Sequence, residues 1–447
     1  MSKQYKLGGF IDMNTEIELA KDLIDFIYES PSSFHAVKNI KKILIKKGFT
    51  ELNEGERWEL QKGEKYFVIR NDSAIIAFNI GNGIIAKKGF KIIGAHTDSP
   101  SFRIKPSPEM AVEKSYIKLN TEVYGGPILN TWLDRPLSVA GRITVKGKGI
   151  LYPEAALVNI KRPIMIIPNL AIHMNRSINK GVELNRQLDV LPLLGLINDT
   201  LEKDNLLVKT IAREFNIEPE EILDFDLFLY EYNKGNIIGL NNEFISSSRL
   251  DDLEMIHASL AAFTEADITD ATNVLACFDN EEIGSSTKQG ADSEFLAGTL
   301  ERIVISFGGD REDYFRALYK SFMISADAAH AVHPNRGEKS DPTNRPIINK
   351  GPVIKISANQ KYTSDSNTIS VYEAICKKAK VPVQKFVNRS DELGGSTIGP
   401  ISSTHVGIRT VDMGTPLLAM HSIRELCGVQ DHIYVKRSLK EFYNENS

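Results

Sequence analysis

The stretch LACFDNEEIGSST, residues 275–287, decides how this chain is read. A short apolar run ends in Asp279 and Asn280, and two adjacent carboxylates, Glu281 and Glu282, follow before a Gly-Ser-Ser turn. Neighbouring carboxylates repel, so a buried strand that ends in them needs solvent, a base or a metal to offset the charge.

Working outward, further strand candidates recur at SFMISADA (321–328), PVQKFVN (382–388) and VGIRTVDMG (406–414), separated by helical stretches. One helix is SRLDDLEMIHASLAAF (248–263), with Leu253, Ile256, Leu260 and Phe263 on one side and Ser248 and Asp251 at capping-box-like spacing. Near the N-terminus, an amphipathic helix carries Leu19, Leu23, Phe26 and Ile27 on one face, and FKIIGAHTDSP (90–100) reads as a buried strand. Alternation of this kind predicts an α/β fold, a central mostly parallel sheet with helices on both faces.

The texture changes between Arg103 and Asn241. Short alternating segments such as SVAGRITVKGKGILYP (138–153) and RPIMIIPNLAIH (162–173) read as β structure with turns at Gly and Pro. ELNRQLDVLPLLGLIND (183–199) passes from polar to apolar without a clear period. The expected organisation is therefore one α/β catalytic domain, residues 1–102 and 242–447, interrupted by an inserted β-rich domain, 103–241.

The chain as a whole supports this division. At 447 residues it exceeds what one hydrophobic core serves. With 42% hydrophobic residues, 25% charged residues and a net charge of −4, it is an ordinary globular composition with no electrostatic case for nucleic acid or an acidic membrane surface. Cys277, Cys376 and Cys427 are far apart and without CxxC spacing, which excludes a disulfide framework or thiolate zinc site and suits a reducing compartment. The first thirty residues lack a signal-peptide profile, and no apolar run is long enough to span a bilayer, so the expected location is cytoplasmic.

Polar residues gather at strand ends. His96 and Asp98 end KIIGAH, Glu281 and Glu282 end VLACFD, Asp327 sits in MISADAAH, His421 follows MGTPLLAM, and Asp251 lies at a helix start. In open α/β sheets such ends converge on a ligand. Each residue alone has a plainer reading: His96 as a core histidine, Asp98 as a turn former, Asp251 as a cap, the glutamates as a solvated loop. Together they offer two histidines and three carboxylates with one Glu to spare. That set suits Zn²⁺, Mn²⁺ or Co²⁺, and two ions about 3.5–4 Å apart need a shared carboxylate and an unbound general base.

GAHTDSP (94–100), SRLDDL (248–253), DNEEIGS (279–285), SADAAHAVHPN (325–335), GGSTIGP (394–400) and MHSIRE (420–425) stand in this order. Together they resemble the M18 metalloaminopeptidases, the aspartyl aminopeptidase family. The resemblance implies a dinuclear zinc exopeptidase fold and two divalent ions per subunit. By it, His96 and Asp327 serve one ion, Asp251 bridges, Glu282 and His421 complete the second, Glu281 is the general base, and Asp98 orients His96. A hydroxide bridging the ions would attack the first peptide carbonyl of a substrate with a free N-terminus. The family usually has Asn where this chain has Asp252, which adds a carboxylate beside the site. Gly395 and Ser396 fall in the loop that resembles the family's substrate wall, and that loop lacks the Lys of a P-loop.

Two more residues match by position. His173 corresponds to a His that, in relatives, reaches from one subunit's inserted domain into a neighbour's site, with an ordinary strand-end His as the plainer reading. Lys355 in GPVIK corresponds to a basic pocket residue, and is equally on the exposed face of a strand. His330 and His333 have no defined role. The resemblance also implies a homo-oligomer, a dodecamer built from dimers. The competing readings are a carboxypeptidase or deacylase on the same core, and a non-catalytic peptide-binding assembly protein.

Overall fold

The computed structural model describes residues 13–197 and 205–446. The first twelve residues, on which part of the reading of the N-terminus rests, and the end of the 183–199 segment lie outside the described residues.

A nine-stranded sheet runs, in spatial order, through Thr50–Leu52, Lys65–Arg70, Ala74–Asn79, Thr272–Phe278, Phe90–His96, Phe322–Ala326, Arg409–Gly414, Val353–Ile356 and Gln384–Val387. Its four consecutive strands from Thr272–Phe278 to Arg409–Gly414 pair in parallel. Alternate side chains feed two cores, as the two-residue period of a strand requires. Ile93, Ala95, Leu275 and Cys277 face the core that also holds helices Met13–Tyr28, Ser33–Lys46, Leu250–Glu265, Ser366–Ala379 and Val429–Asn444. Ile92, Val274, Ala276 and Phe278 face the other, with helices Phe295–Ser306, Arg311–Lys320 and Ile398–Val406. The α/β architecture with helices on both faces is the one expected.

A second, six-stranded antiparallel sheet is built from the middle of the chain, in the order Tyr152–Asn159, Leu137–Gly149, Ile222–Glu231, Ser101–Val112, Tyr116–Tyr124 and Leu193–Leu196. Phe102, Leu119, Val139 and Leu227 form its core. Beyond it, Asn236–Ile238 pairs with Phe244–Ser247, which pairs with Glu425–Gly428, so the returning chain is stitched beside His421.

Two local expectations fail. RPIMIIPNLAIH does not form a strand; only the isolated bridges Leu137↔Met165 and Ile166↔Leu193 remain. Pro163 and Pro168 remove two ladder donors and fix the backbone, which breaks any continuous pairing. The helix Leu250–Glu265 forms with Leu253, Ile256, Leu260 and Phe263 buried, but it starts without a side-chain cap. Arg249 at its N-cap takes the left-handed conformation, with φ 56°, and Asp251 is not helical. Asp251 is therefore no cap; its backbone and side chain are used elsewhere.

Candidate metal centre

The carboxyl ends of the parallel strands bring the candidate residues together. His96 closes its strand, Asp327 follows Ala326 directly, and the turn Glu281–Ile283 follows Phe278. That turn is entered through Asn280 (φ 63°) and left through Gly284 (φ 95°), so the chain reverses sharply and both glutamates stay beside the strand end.

Three overlapping groups have ligating atoms within 4.8 Å of one another: His96 with Asp251 and Asp252, His96 with Glu281 and Glu282, and Asp251 with Glu282 and His421. His96 Nε2 lies 3.4 Å from Asp251 Oδ1, and His421 Nε2 lies 3.4 Å from Glu282 Oε2 and 3.6 Å from Asp251 Oδ2. Asp327 is outside these groups. Its Oδ1 accepts from Lys355 Nζ at 2.9 Å.

The tautomers follow from the other ring nitrogens. His421 Nδ1 faces the carbonyl of Gly126 at 3.1 Å, and His96 Nδ1 faces that of Asp98 at 3.1 Å. A carbonyl only accepts, so both Nδ1 atoms carry a proton, and Nε2 is the ring atom each histidine turns towards carboxylate oxygens. Asp251 Oδ1 and Glu282 Oε1 are buried without a hydrogen-bond partner. Two imidazole nitrogens converging on several carboxylates, with orphaned oxygens among them, is the donor set of a divalent cation site, and these residues fit one.

The charges shift one another strongly. Burial pushes Glu281 up to about 8, with Asp327, Asp251 and Asp98 adding to the push and His96 opposing it. Burial likewise raises Glu282 and Asp252 well above the carboxylate range. For His96, burial acts downward, but the charges of Asp252, Asp251 and Asp98 outweigh it and hold the ring well above its usual value. Asp251 moves the other way: burial would raise it, yet His96, His421 and Lys355 bring it down.

Several residues hold the arrangement in place. Asp98 accepts from the backbone N–H of Glu281 at 3.1 Å, from that of Glu282 at 3.2 Å, and from the Tyr124 hydroxyl at 2.7 Å. Asp252 Oδ2 accepts the backbone N–H of His96 at 3.1 Å. Sequence reasoning assigned no role to Glu425, although it ends the MHSIRE motif. Its two oxygens accept the N–H of Asp251 at 2.9 Å and of His421 at 2.7 Å, which joins two candidate ligands through one buried carboxylate. His421 sits at φ 65°, a costly conformation for a non-glycine residue, and this bond helps to hold it there. Nothing in the sequence around Tyr124 signals its contact with Asp98.

A cavity of about 510 Å³ opens beside the cluster, lined by Asp98, Asp251, His421 and Glu425 and by Tyr124 and Tyr230 of the six-stranded sheet. The four candidate substrate residues lie elsewhere. Lys355 is 2% exposed, which removes the exposed-strand reading, and its Nζ bonds Asp327 and the Ala328 carbonyl. Gly395 and Ser396 are exposed in the loop before helix Ile398–Val406, and His173 is exposed in the irregular segment after Asn159. His330 packs edge-on against Phe386, and His333 Nδ1 accepts from the Asn335 N–H. No helix among the described residues is long and apolar enough to cross a membrane.

Comparison with known proteins gives concordant matches. The family model described as aminopeptidase I zinc metalloprotease (M18) matches residues 26–443. A probable M18 family aminopeptidase 2 of Clostridium novyi is 69% identical over 432 residues, covering 97% of this chain and all of the relative. Its counterpart in Pseudomonas entomophila is 44% identical, covering 94% of this chain and 97% of the relative. Among solved structures, the Ape4 and Nbr1 complex matches with a TM-score of 0.93 at 38% identity, covering 98% of this chain and 88% of that one. The S. cerevisiae mApe1 dodecamer matches with a TM-score of 0.84 at 29% identity, covering 96% and 97%.

Proposed function

The chain belongs to the M18 family of zinc metalloproteases and is a metalloaminopeptidase, and from that premise we propose that it releases N-terminal residues from peptides at a two-metal centre served by a Glu general base. The observation that carries the proposal is the pair of imidazole Nε2 atoms facing Asp251 Oδ1 and Glu282 Oε2, beside the buried Asp251 Oδ1 and Glu282 Oε1 that have no hydrogen-bond partner.

His96, Asp251, Glu282, Asp327 and His421 would hold two divalent ions, Asp251 shared between them, with zinc the first choice and cobalt or manganese the alternatives. Zinc bound there supplies Lewis acidity towards the peptide carbonyl and lowers the pKa of a water molecule. Glu281 is left to move the proton: it takes one from the attacking water and returns it to the leaving amine. Burial raises Glu281 to about 8, and bound cations bring a neighbouring carboxylate back towards its ordinary range, so it stands ready as a base near neutral pH. Asp98 orients His96 and fixes the Glu281–Glu282 turn.

Lys355, Gly395 and Ser396 form the substrate side, and the free α-amino group binds at a metal or an acidic group. One similar solved structure is a dodecamer. We extend that assembly to this chain, as dimers through the inserted domain 103–241 between the two catalytic parts 1–102 and 242–447. In it His173, surrounded by exposed Leu170, Ile172 and Met174, reaches a neighbour's site. The three cysteines are buried and free, in keeping with a cytoplasmic setting.

A panel of aminoacyl reporters tests the function, each with a free and an acetylated N-terminus, with chelator and with zinc, cobalt or manganese restored. The expected result is chelator-sensitive cleavage of free N-termini only. Cleavage of acetylated substrates would instead support the carboxypeptidase or deacylase reading, and no cleavage at all the non-catalytic one.

A further inference from the structure

Asp412 stands in the middle of the strand Arg409–Gly414, fully buried, paired in register with Ser325 of Phe322–Ala326. An uncompensated carboxylate in a sheet core is costly, and an apolar residue would pack there without that cost. Its oxygens are instead saturated by two loops. Oδ2 accepts the backbone N–H and the hydroxyl of Thr363, both at 2.6 Å, and Oδ1 accepts the hydroxyl of Thr397 at 2.5 Å. The Asp412 N–H donates to Ser364 Oγ at 3.0 Å.

We propose that Asp412 is a positioning residue for the reaction: it fastens the loops 361–363 and 394–397 to the sheet and so sets the substrate wall beside Asp327. This rests on the reading above that Gly395 and Ser396 line the substrate side. Thr397 is the N-cap of helix Ile398–Val406, accepting from the Gly399 N–H while donating to Asp412. A Cβ at Gly399 would meet Asp412 Oδ2 at 2.5 Å and Oδ1 at 2.6 Å, so only glycine lets the helix start sit on the carboxylate.

The two fastened loops also hold each other. Ser396 Oγ donates to the Lys361 carbonyl at 3.2 Å. Between these residues, the Tyr362 ring lies 5.3 Å from Lys355 Nζ, and that Nζ donates to Asp327 Oδ1 at 2.9 Å. A contact chain thus runs from Asp412 through Thr363 and the adjacent Tyr362 to Lys355 and the candidate ligand Asp327. Acceptors that fix both loops at once hold them to a narrow range of positions, and positioning at that scale governs rate and apparent affinity.

Asp412→Asn replaces one acceptor oxygen by a donor, so the bonds from Thr363 and Thr397 cannot all form. Thr397→Val removes one bond only, and Thr397→Ser keeps the hydroxyl. The expected result for Asp412→Asn and Thr397→Val is faster hydrogen exchange in residues 357–365 and 388–397. KM should rise on the order of tenfold for bulky N-terminal residues, with a smaller change in kcat and unchanged bound metal. Thr397→Ser should recover most of what Thr397→Val loses. Unchanged exchange in both variants, or faster exchange with KM unmoved, would overturn the proposal. Failure of the aminopeptidase reading itself would show separately, as chelator-insensitive turnover or cleavage of acetylated substrates by the unaltered protein.

Discussion

Asp98 Oδ1 accepts the backbone N–H of Glu281 at 3.1 Å, while its Oδ2 takes the N–H of Glu282 at 3.2 Å. The carboxylate that faces His96 therefore also pins the turn carrying both glutamates. One residue couples the aim of a candidate metal ligand to the aim of the proposed base. Asp98→Asn keeps the shape but leaves one backbone donor facing an amide. Loss of such a supporting contact costs about 10–100-fold in activity or metal affinity. Steady-state kinetics with bound-metal analysis checks this, and unchanged values in both would remove the role.

Lys355 and Asp327 form a buried pair at 2.9 Å, with side chains 3% and 10% exposed. Removing the cation strands the carboxylate. Lys355→Met should destabilise the metal-free protein by about 3–5 kcal/mol, the cost of breaking a buried pair from one side. Urea unfolding in chelator reads it, and an unchanged midpoint would mean that Asp327 finds another partner.

Bound ions should stabilise the fold, because they offset the repulsion among Asp251, Glu281 and Glu282. At a thousandfold excess over Kd the gain is about 4 kcal/mol. The thermal midpoint should fall on chelation and recover with zinc. Glu282→Gln should reduce that recovery; a full recovery would count against Glu282 as a ligand.

His35, which is not among the candidate ligands, gives a pH dependence of its own. Burial, with Lys38, Lys161 and Arg249 adding to it, lowers His35 from 6.5 to about 3. Its ring is therefore neutral in the fold, and its contribution is complete above pH 6.5 and lost as pH falls from there towards 3. The unfolded chain binds the extra proton in that window, so stability should drop by up to about 1.4 kcal/mol per pH unit from this group. Unfolding midpoints of the unaltered protein and His35→Gln, compared from pH 7 downward, should converge as the histidine's advantage disappears. Parallel curves would show that His35 is not held neutral.

The sheet strands were legible because apolar runs of the right length are bounded by polar turns, and Phe90–His96, Thr272–Phe278 and Phe322–Ala326 all fall where they were expected. The segment 162–173 misled, since its apolar residues suggest a strand while its prolines forbid one. The candidate ligands were visible as charges at strand ends. Glu425, Tyr124 and Asp412 were not, because each acts through hydrogen bonds to backbone or hydroxyl groups distant in sequence. The left-handed Arg249 likewise depends on tertiary contact, its Nη2 donating to the Ile27 carbonyl and its guanidinium facing the Tyr230 ring.

The central claim is that two adjacent glutamates have separate jobs, Glu282 on a metal and Glu281 on the proton. The most direct test is Glu281→Gln, assayed for turnover and bound metal together. The account predicts a loss of about 10²–10⁴-fold in kcat with two ions per subunit retained. Full turnover, or loss of the metal along with the activity, would contradict it.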